Sequence, residues 1–120
     1  MVVRDELTDE ETDRVFQALA AATRRDILRR TAVSEQSVSA LAAAYDMSFA
    51  AVQKHVAVLE AAQLIVKRAE GRERLVRAEL AMIARARALL AQYEDLWRAR
   101  VDRLDALLAS DLTTDPHEGV

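Results

Sequence analysis

The sequence predicts a mainly α-helical fold with one small β-hairpin, and three observations carry that expectation. Of 120 residues, 24 are Ala, the best helix former, while only 2 are Gly and 1 is Pro, where average usage of roughly 7% and 5% would give several of each. Residues 79 to about 109 hold neither Gly nor Pro, as one long helix requires. The only internal glycine, Gly71, stands between two runs of alternating apolar and polar residues, the pattern of a hairpin turn. A chain of this length builds one core, so a single domain is expected over residues 1–110, with a flexible tail over 111–120 where Thr, Pro and Gly gather.

The first helix is announced by Thr8-Asp9-Glu10-Glu11, a capping box in which the Thr8 hydroxyl accepts an amide proton and Glu11 reaches back. Val15, Phe16, Leu19 and Ala22 then share one face. Thr23-Arg24-Arg25-Asp26 repeats the spacing and starts a second helix that buries Ile27 and Leu28. From Thr31 to Val38 the sequence turns polar and loses the helical period, after which Ser39 caps a short helix containing Leu41, Ala42 and Tyr45. Asp46 and Met47 make a turn. Ser48 caps the next helix, with Val52, Val56 and Leu59 inward and Phe49, Ala50, Gln53, Lys54 and Ala57 outward. Leu64 to Ala69 and Arg74 to Arg77 form the hairpin about Glu70-Gly71-Arg72, and the long helix closes the chain. Helix, tight turn, helix and then a two-stranded ribbon is the order of a winged helix-turn-helix.

Composition also excludes functions. Without Cys there is no disulfide and no thiolate metal site or nucleophile, which points to a reducing, cytoplasmic setting. No apolar run reaches the roughly 18 residues of a membrane span, and the acidic N-terminus is unlike a secretory signal. Two glycines cannot build a nucleotide-binding loop, and His55 and His117 are too isolated for acid–base or metal work. We therefore expect no catalytic residue, cofactor or metal. The net charge of −3 conceals a polarity, because residues 1–23 carry 2 basic and 6 acidic side chains, residues 24–77 carry 10 and 6, and residues 78–120 carry 5 and 8. A basic centre between acidic ends suits a DNA reader whose ends pair with a second subunit, and equally a chance arrangement of solvated charge.

Three segments carry a family resemblance: Leu19-Ala20-Ala21-Ala22-Thr23-Arg24-Arg25-Asp26-Ile27-Leu28, the stretch from Met47 to Leu59, and Glu70-Gly71-Arg72 leading into Arg74 to Arg77. Together they resemble the ArsR/SmtB group of small bacterial repressors over about residues 12–108. The long last helix, with Tyr93, Trp97 and Leu104, is similar to that group's metal-independent, autorepressor-like branch. The resemblance implies a DNA-binding transcriptional repressor. The chain departs from the family at Ala21-Ala22, where Asp-Pro is usual, and at Gln63, where a helix-ending Gly is usual. It also offers neither the cysteines of the short helix nor, with no His between 80 and 109, the ligand set of the last helix. Glu94, Asp95, Asp102 and Asp105 are better explained as a solvated helix face than as a hard-cation site.

As a groove reader, the chain would use the free amides behind Ser48 for a phosphate, with Phe49, Ala50, Gln53 and Lys54 facing base edges. Phe49 either touches a thymine methyl group or closes the turn against the core. His55, at the margin of the buried face, suits a hydrogen-bonded scaffold role, with or without a phosphate contact, better than metal ligation. Lys67, Arg72 and Arg74, with Arg25, would add affinity through the DNA backbone. Arg24 and Arg25 open a helix, where the dipole disfavours them, and either pair with carboxylates or meet phosphates.

In the last helix Ile83, Leu90, Trp97 and Leu104 recur every seven residues beside Ala86, Tyr93 and Leu107, and Leu89, Leu96, Val101 and Leu108 widen the stripe. One small domain cannot cover all of that, so a homodimer is expected through this helix and the first, using Phe16, Leu90, Tyr93, Trp97, Leu104 and Leu108. The partner would be a double-stranded, near-palindromic operator. Two other readings stand: a regulator with a small-molecule effector pocket near Tyr93 and Trp97, and a winged-helix module that grips a protein.

Overall fold

The computed structural model describes residues 6–113, with side chains to Asp111. Five helices and three short strands follow one another as α1 (Asp9–Leu19), α2 (Ala22–Val33), β1 (Gln36–Ser37), α3 (Val38–Ala43), α4 (Phe49–Ala61), β2 (Ile65–Glu70), β3 (Glu73–Ala78) and α5 (Leu80–Thr113). This is the expected winged helix-turn-helix: α3 and α4 are the two helices of the motif, and β2 and β3 form the wing. The antiparallel sheet has the order β1-β3-β2, with Gln36 opposite Val76 and Ile65 opposite Ala78. The described residues divide into two units at the Arg87–Ala88 junction. In the first, Val15, Ile27, Leu41, Val52, Val56, Leu59, Leu64 and Val76 make a core with almost no solvent exposure.

The helix starts written in local sequence form as expected. The Thr8 hydroxyl accepts from the Glu11 amide at 3.1 Å, and the Thr8 amide donates to the Glu11 carboxylate at 2.9 Å. Ser48 accepts from the Ala51 amide at 3.1 Å and so fixes the start of α4. At the far end of α4, Gln63 adopts φ 62°, and the Leu64 and Gln63 amides donate to the Leu59 and Glu60 carbonyls at 3.0 and 2.9 Å. The left-handed cap survives there without glycine. Gly71 has φ 61° at the first position of the two-residue wing turn, matching the twist of the strands it joins.

Four expected boundaries move. Thr23 does not cap α2; the helix starts at Ala22 behind an extended Ala21, which offers no side-chain cap. Thr31 does not end that helix. Its hydroxyl is buried and donates to the Ile27 and Leu28 carbonyls, so a polar residue is accommodated inside and α2 runs to Val33. Ser37, not Ser39, caps α3 by accepting from the Ala40 amide at 3.0 Å, since pairing of β1 with β3 holds Ser37 extended. Finally, α5 continues to Thr113, so residues 111–113, expected in the tail, are helical; the remainder of that tail lies outside the described residues.

The turn between α3 and α4 is tied to α2 by charge. The Tyr45 hydroxyl donates to the Asp26 carboxylate at 2.5 Å, Arg30 donates to the same group at 2.8 Å, and Arg29 pairs with its other oxygen. The Arg30 guanidinium also lies 5.5 Å from the Tyr45 ring centre. The Tyr45 hydroxyl and then the Arg30 guanidinium hold the Asp26 carboxyl down at about 2. Burial and the Asp26 hydrogen bond push the Tyr45 phenol up to about 12.

Candidate nucleic-acid interface

Along α4 the buried positions Val52, Val56 and Leu59 repeat on one face, which leaves Ser48, Phe49, Ala50, Gln53 and Lys54 in solvent. The wing starts at buried Ile65, but from Arg68 to Arg74 every residue is exposed, so the tip projects from the body of the fold. A groove of about 330 Å³ separates the two elements, lined by Ser39, Phe49, Gln53, Lys67, Arg72 and Arg74. Glu73 adds one opposing charge to its rim. Of the residues read from sequence, Phe49, Gln53, Lys67, Arg72 and Arg74 therefore meet in one groove. Phe49 remains 47% exposed, so it faces the groove rather than closing the turn against the core.

Lys54, Arg72 and Arg74 pair with no carboxylate among the described residues. Unneutralised cations around a groove attract a polyanion. Lys67 differs, because its ammonium lies 3.4 Å from the Glu60 carboxylate and its charge is already partly answered. Arg68, which sequence reading passed over, holds the wing: its guanidinium donates to both oxygens of Glu35 at 3.0 and 2.7 Å and meets Glu70 at 3.0 Å. Arg68 in turn keeps the Glu35 carboxyl below the usual carboxylate range. No pattern in the sequence signals that pairing, because Glu35, just before β1, and Arg68 of β2 are brought together only by the sheet.

His55 is half-buried, and its Nδ1 lies 3.2 Å from the Arg24 guanidinium. The expected scaffold role thus has a named partner. Among the described residues, Arg24 and Arg25 do not form the carboxylate pairs considered for them. Arg24 donates to the Ala18 and Gln17 carbonyls at 2.7 and 3.0 Å, and Arg25 to the Leu19 carbonyl at 2.7 Å. They close the C-terminus of α1, whose own last turn has no basic residue, and bring positive charge to the negative end of its dipole. Ser39, displaced from its capping role, and Glu73 are groove residues that sequence reading missed; two serines two positions apart made the cap ambiguous.

In the second unit, residues 88–113, every described side chain except Leu89 and Val101 is exposed, including Leu90, Tyr93, Trp97, Leu104 and Leu108. Trp97 is 61% exposed, with Arg100 5.8 Å from the ring centre. In the first unit, Phe16 on α1 is 41% exposed. Among the described residues there is no cluster of His, Asp and Glu able to hold a metal, and no helix is long and apolar enough to cross a membrane.

No family model matches the chain. It is 36% identical over 81 residues to the HTH-type transcriptional regulator Rv2034 of Mycobacterium tuberculosis, covering 68% of this chain and 76% of that protein. A solved structure of an ArsR-like transcriptional regulator from Rhodococcus sp. RHA1 matches with TM-score 0.72 and 31% identity over 82% of this chain and 92% of that one. The homodimeric winged helix-turn-helix DNA-binding domain of Mb0332 from Mycobacterium bovis, a possible ArsR-family regulator, matches with TM-score 0.57 and 26% identity, over 81% and 93% of the two chains.

Proposed function

The chain belongs to the ArsR family of winged helix-turn-helix transcriptional regulators, and from that premise we propose that it is a homodimeric, sequence-specific DNA-binding repressor acting in the cytoplasm. The observation that carries this reading is the groove between α4 and the wing, where Phe49, Gln53, Lys67, Arg72 and Arg74 converge beside the unpaired Lys54. Gln53 offers an amide that matches adenine, Lys54 a cation for guanine or a phosphate, and Phe49 an apolar face for a thymine methyl group. Ser48 and Ala50 sit at the α4 N-terminus, where free amides and the dipole favour a phosphate. Arg72 and Arg74 reach the adjacent backbone or minor groove and supply affinity more than sequence choice.

The functional domain spans residues 1–110 and includes the dimer surface. An apolar row exposed along a long helix is what an isologous partner covers, so we assign Leu90, Tyr93, Trp97, Leu104 and Leu108, with Phe16 of α1, to contact with a second copy. The Mycobacterium bovis domain, named as homodimeric, supports that assignment. A two-fold pair would set two reading helices about 34 Å apart, one turn of the duplex, and so match a near-palindromic operator. Bound there, the dimer would exclude RNA polymerase by occupancy, with no metal in the switch, since the chain has no Cys and no His from 80 to 109. For the effector-pocket alternative, α5 carries a surface hollow lined by Glu94, Trp97, Arg98, Val101 and Asp102. The exposed basic wing tip favours DNA over a protein partner. Titration of labelled duplexes covering the upstream regions of the protein's own genome, with sedimentation of the free protein, tests both halves. The expected result is a dimer that prefers a few near-palindromic duplexes; a monomer at cellular concentration, or equal affinity for every duplex, overturns it.

A further inference from the structure

We infer that Arg24 is a positioning residue for the reading helix, tying α4 to the C-terminus of α1 through the imidazole of His55. One guanidinium makes three bonds to two other helices: to the Ala18 carbonyl at 2.7 Å, the Gln17 carbonyl at 3.0 Å and His55 Nδ1 at 3.2 Å. Arginine carries donors only, in a rigid planar fork, so each bond constrains the direction of the other two. For the same reason Nδ1 of His55 accepts, which assigns the ring proton to Nε2. His55 stands between Lys54, which is exposed, and Val56, which is 1% exposed in the core. The ring therefore marks the boundary between the packed and the reading faces of α4. Gln53 and Lys54 belong to the same turn and move with it as a rigid body.

The brace has a direction. Its far end grips the carbonyls of Gln17 and Ala18, the two residues that follow Phe16 on α1. The charge also suits that place, because the α1 C-terminus has no basic residue of its own and receives this one from α2. A displacement of α1 is thus carried to the rotation of α4 about its axis, and the aim of Gln53 and Lys54 depends on a residue that does not itself face the groove.

This inference rests on the DNA-binding reading, and the experiment separates the two. Arg24→Gln, Arg24→Lys, His55→Gln and the Arg24→Gln/His55→Gln double variant are compared with the wild type on two probes: a duplex that the wild type selects from a randomised library, and an unselected duplex of equal length. Arg24→Gln is expected to lose about tenfold of the preference for the selected duplex, with an unchanged salt slope on the unselected one. His55→Gln should lose as much, and the double variant no more than either single one. Arg24→Lys keeps the charge but not the fork, and should not restore the preference. In alkaline buffer, where imidazoles are neutral, nitrogen NMR of the wild type should show the His55 proton on Nε2. With only two histidines in the chain, His55→Gln assigns the signal. A fall of about one in the salt slope would instead make Arg24 a phosphate contact. That fall, additive losses, rescue by Arg24→Lys or a proton on Nδ1 would each overturn the inference. Should Arg24→Gln not fold, the lysine variant, His55→Gln and the wild-type spectrum decide. Should the wild type prefer no duplex, the DNA reading falls and this positioning role with it, while the spectrum still reports whether the brace exists.

Discussion

Glu60→Gln should make this protein bind DNA more tightly and more salt-sensitively, although Glu60 would touch no nucleic acid. Lys67 lines the groove between α4 and the wing, yet its ammonium is 3.4 Å from the Glu60 carboxylate. Each phosphate neutralised contributes a slope of roughly −0.9 to the dependence of log affinity on log salt. The three unpaired cations Lys54, Arg72 and Arg74, doubled by a second copy, give a slope of about −5.4, or about an 1,800-fold loss between 50 and 200 mM salt. Freeing Lys67 adds one phosphate contact per protomer and steepens the slope by about 2, a further factor of about 12 over the same range. The gain shows at low salt. Folding changes little, since a pair this exposed is worth less than about 1 kcal/mol. Fluorescence anisotropy of a labelled duplex across a salt series reads the slope, and a thermal melt checks the fold. An unchanged slope in Glu60→Gln would show that Lys67 does not approach DNA, and a flat plot for the wild type would remove the whole electrostatic account.

Three other outcomes follow from the structure. Gln63→Gly should stabilise the protein by roughly 0.5 to 1 kcal/mol, because the left-handed conformation at φ 62° costs a side-chain-bearing residue about 1–2 kcal/mol and glycine's extra unfolded-state freedom takes back only part; a melting temperature that stays level or falls would refute the relief of strain. Asp26, held at about 2 chiefly by the Tyr45 hydroxyl, contributes stability that is complete above its ordinary carboxylate range and disappears as pH falls through about 2. Tyr45→Phe should therefore move acid unfolding, followed by circular dichroism, to higher pH; coincident acid transitions would show that the Asp26–Tyr45 bond does not govern it. Trp97→Ala should weaken self-association by about 2 kcal/mol, roughly thirtyfold, if this exposed ring is an interface anchor. Sedimentation showing an unaltered dimer takes Trp97 out of the contact.

The amino-acid sequence by itself determined those features whose partners lie within about one helical turn. Thr8 and Ser48 find amides three residues on, the apolar period of α4 decides which way Gln53 and Lys54 face, and Gly71 supplies the wing turn with its positive φ. Only the tertiary structure decided where the long polar side chains go. Arg24 and Arg25 cap a neighbouring helix, Arg68 reaches Glu35 across the sheet, Lys67 meets Glu60, and strand β1 turns the capping of α3 from Ser39 to Ser37. An arginine or lysine carries its charge several ångströms from its own backbone, so its partner is set by how close two elements are brought in space. Sequence spacing records that distance only when both residues belong to the same element.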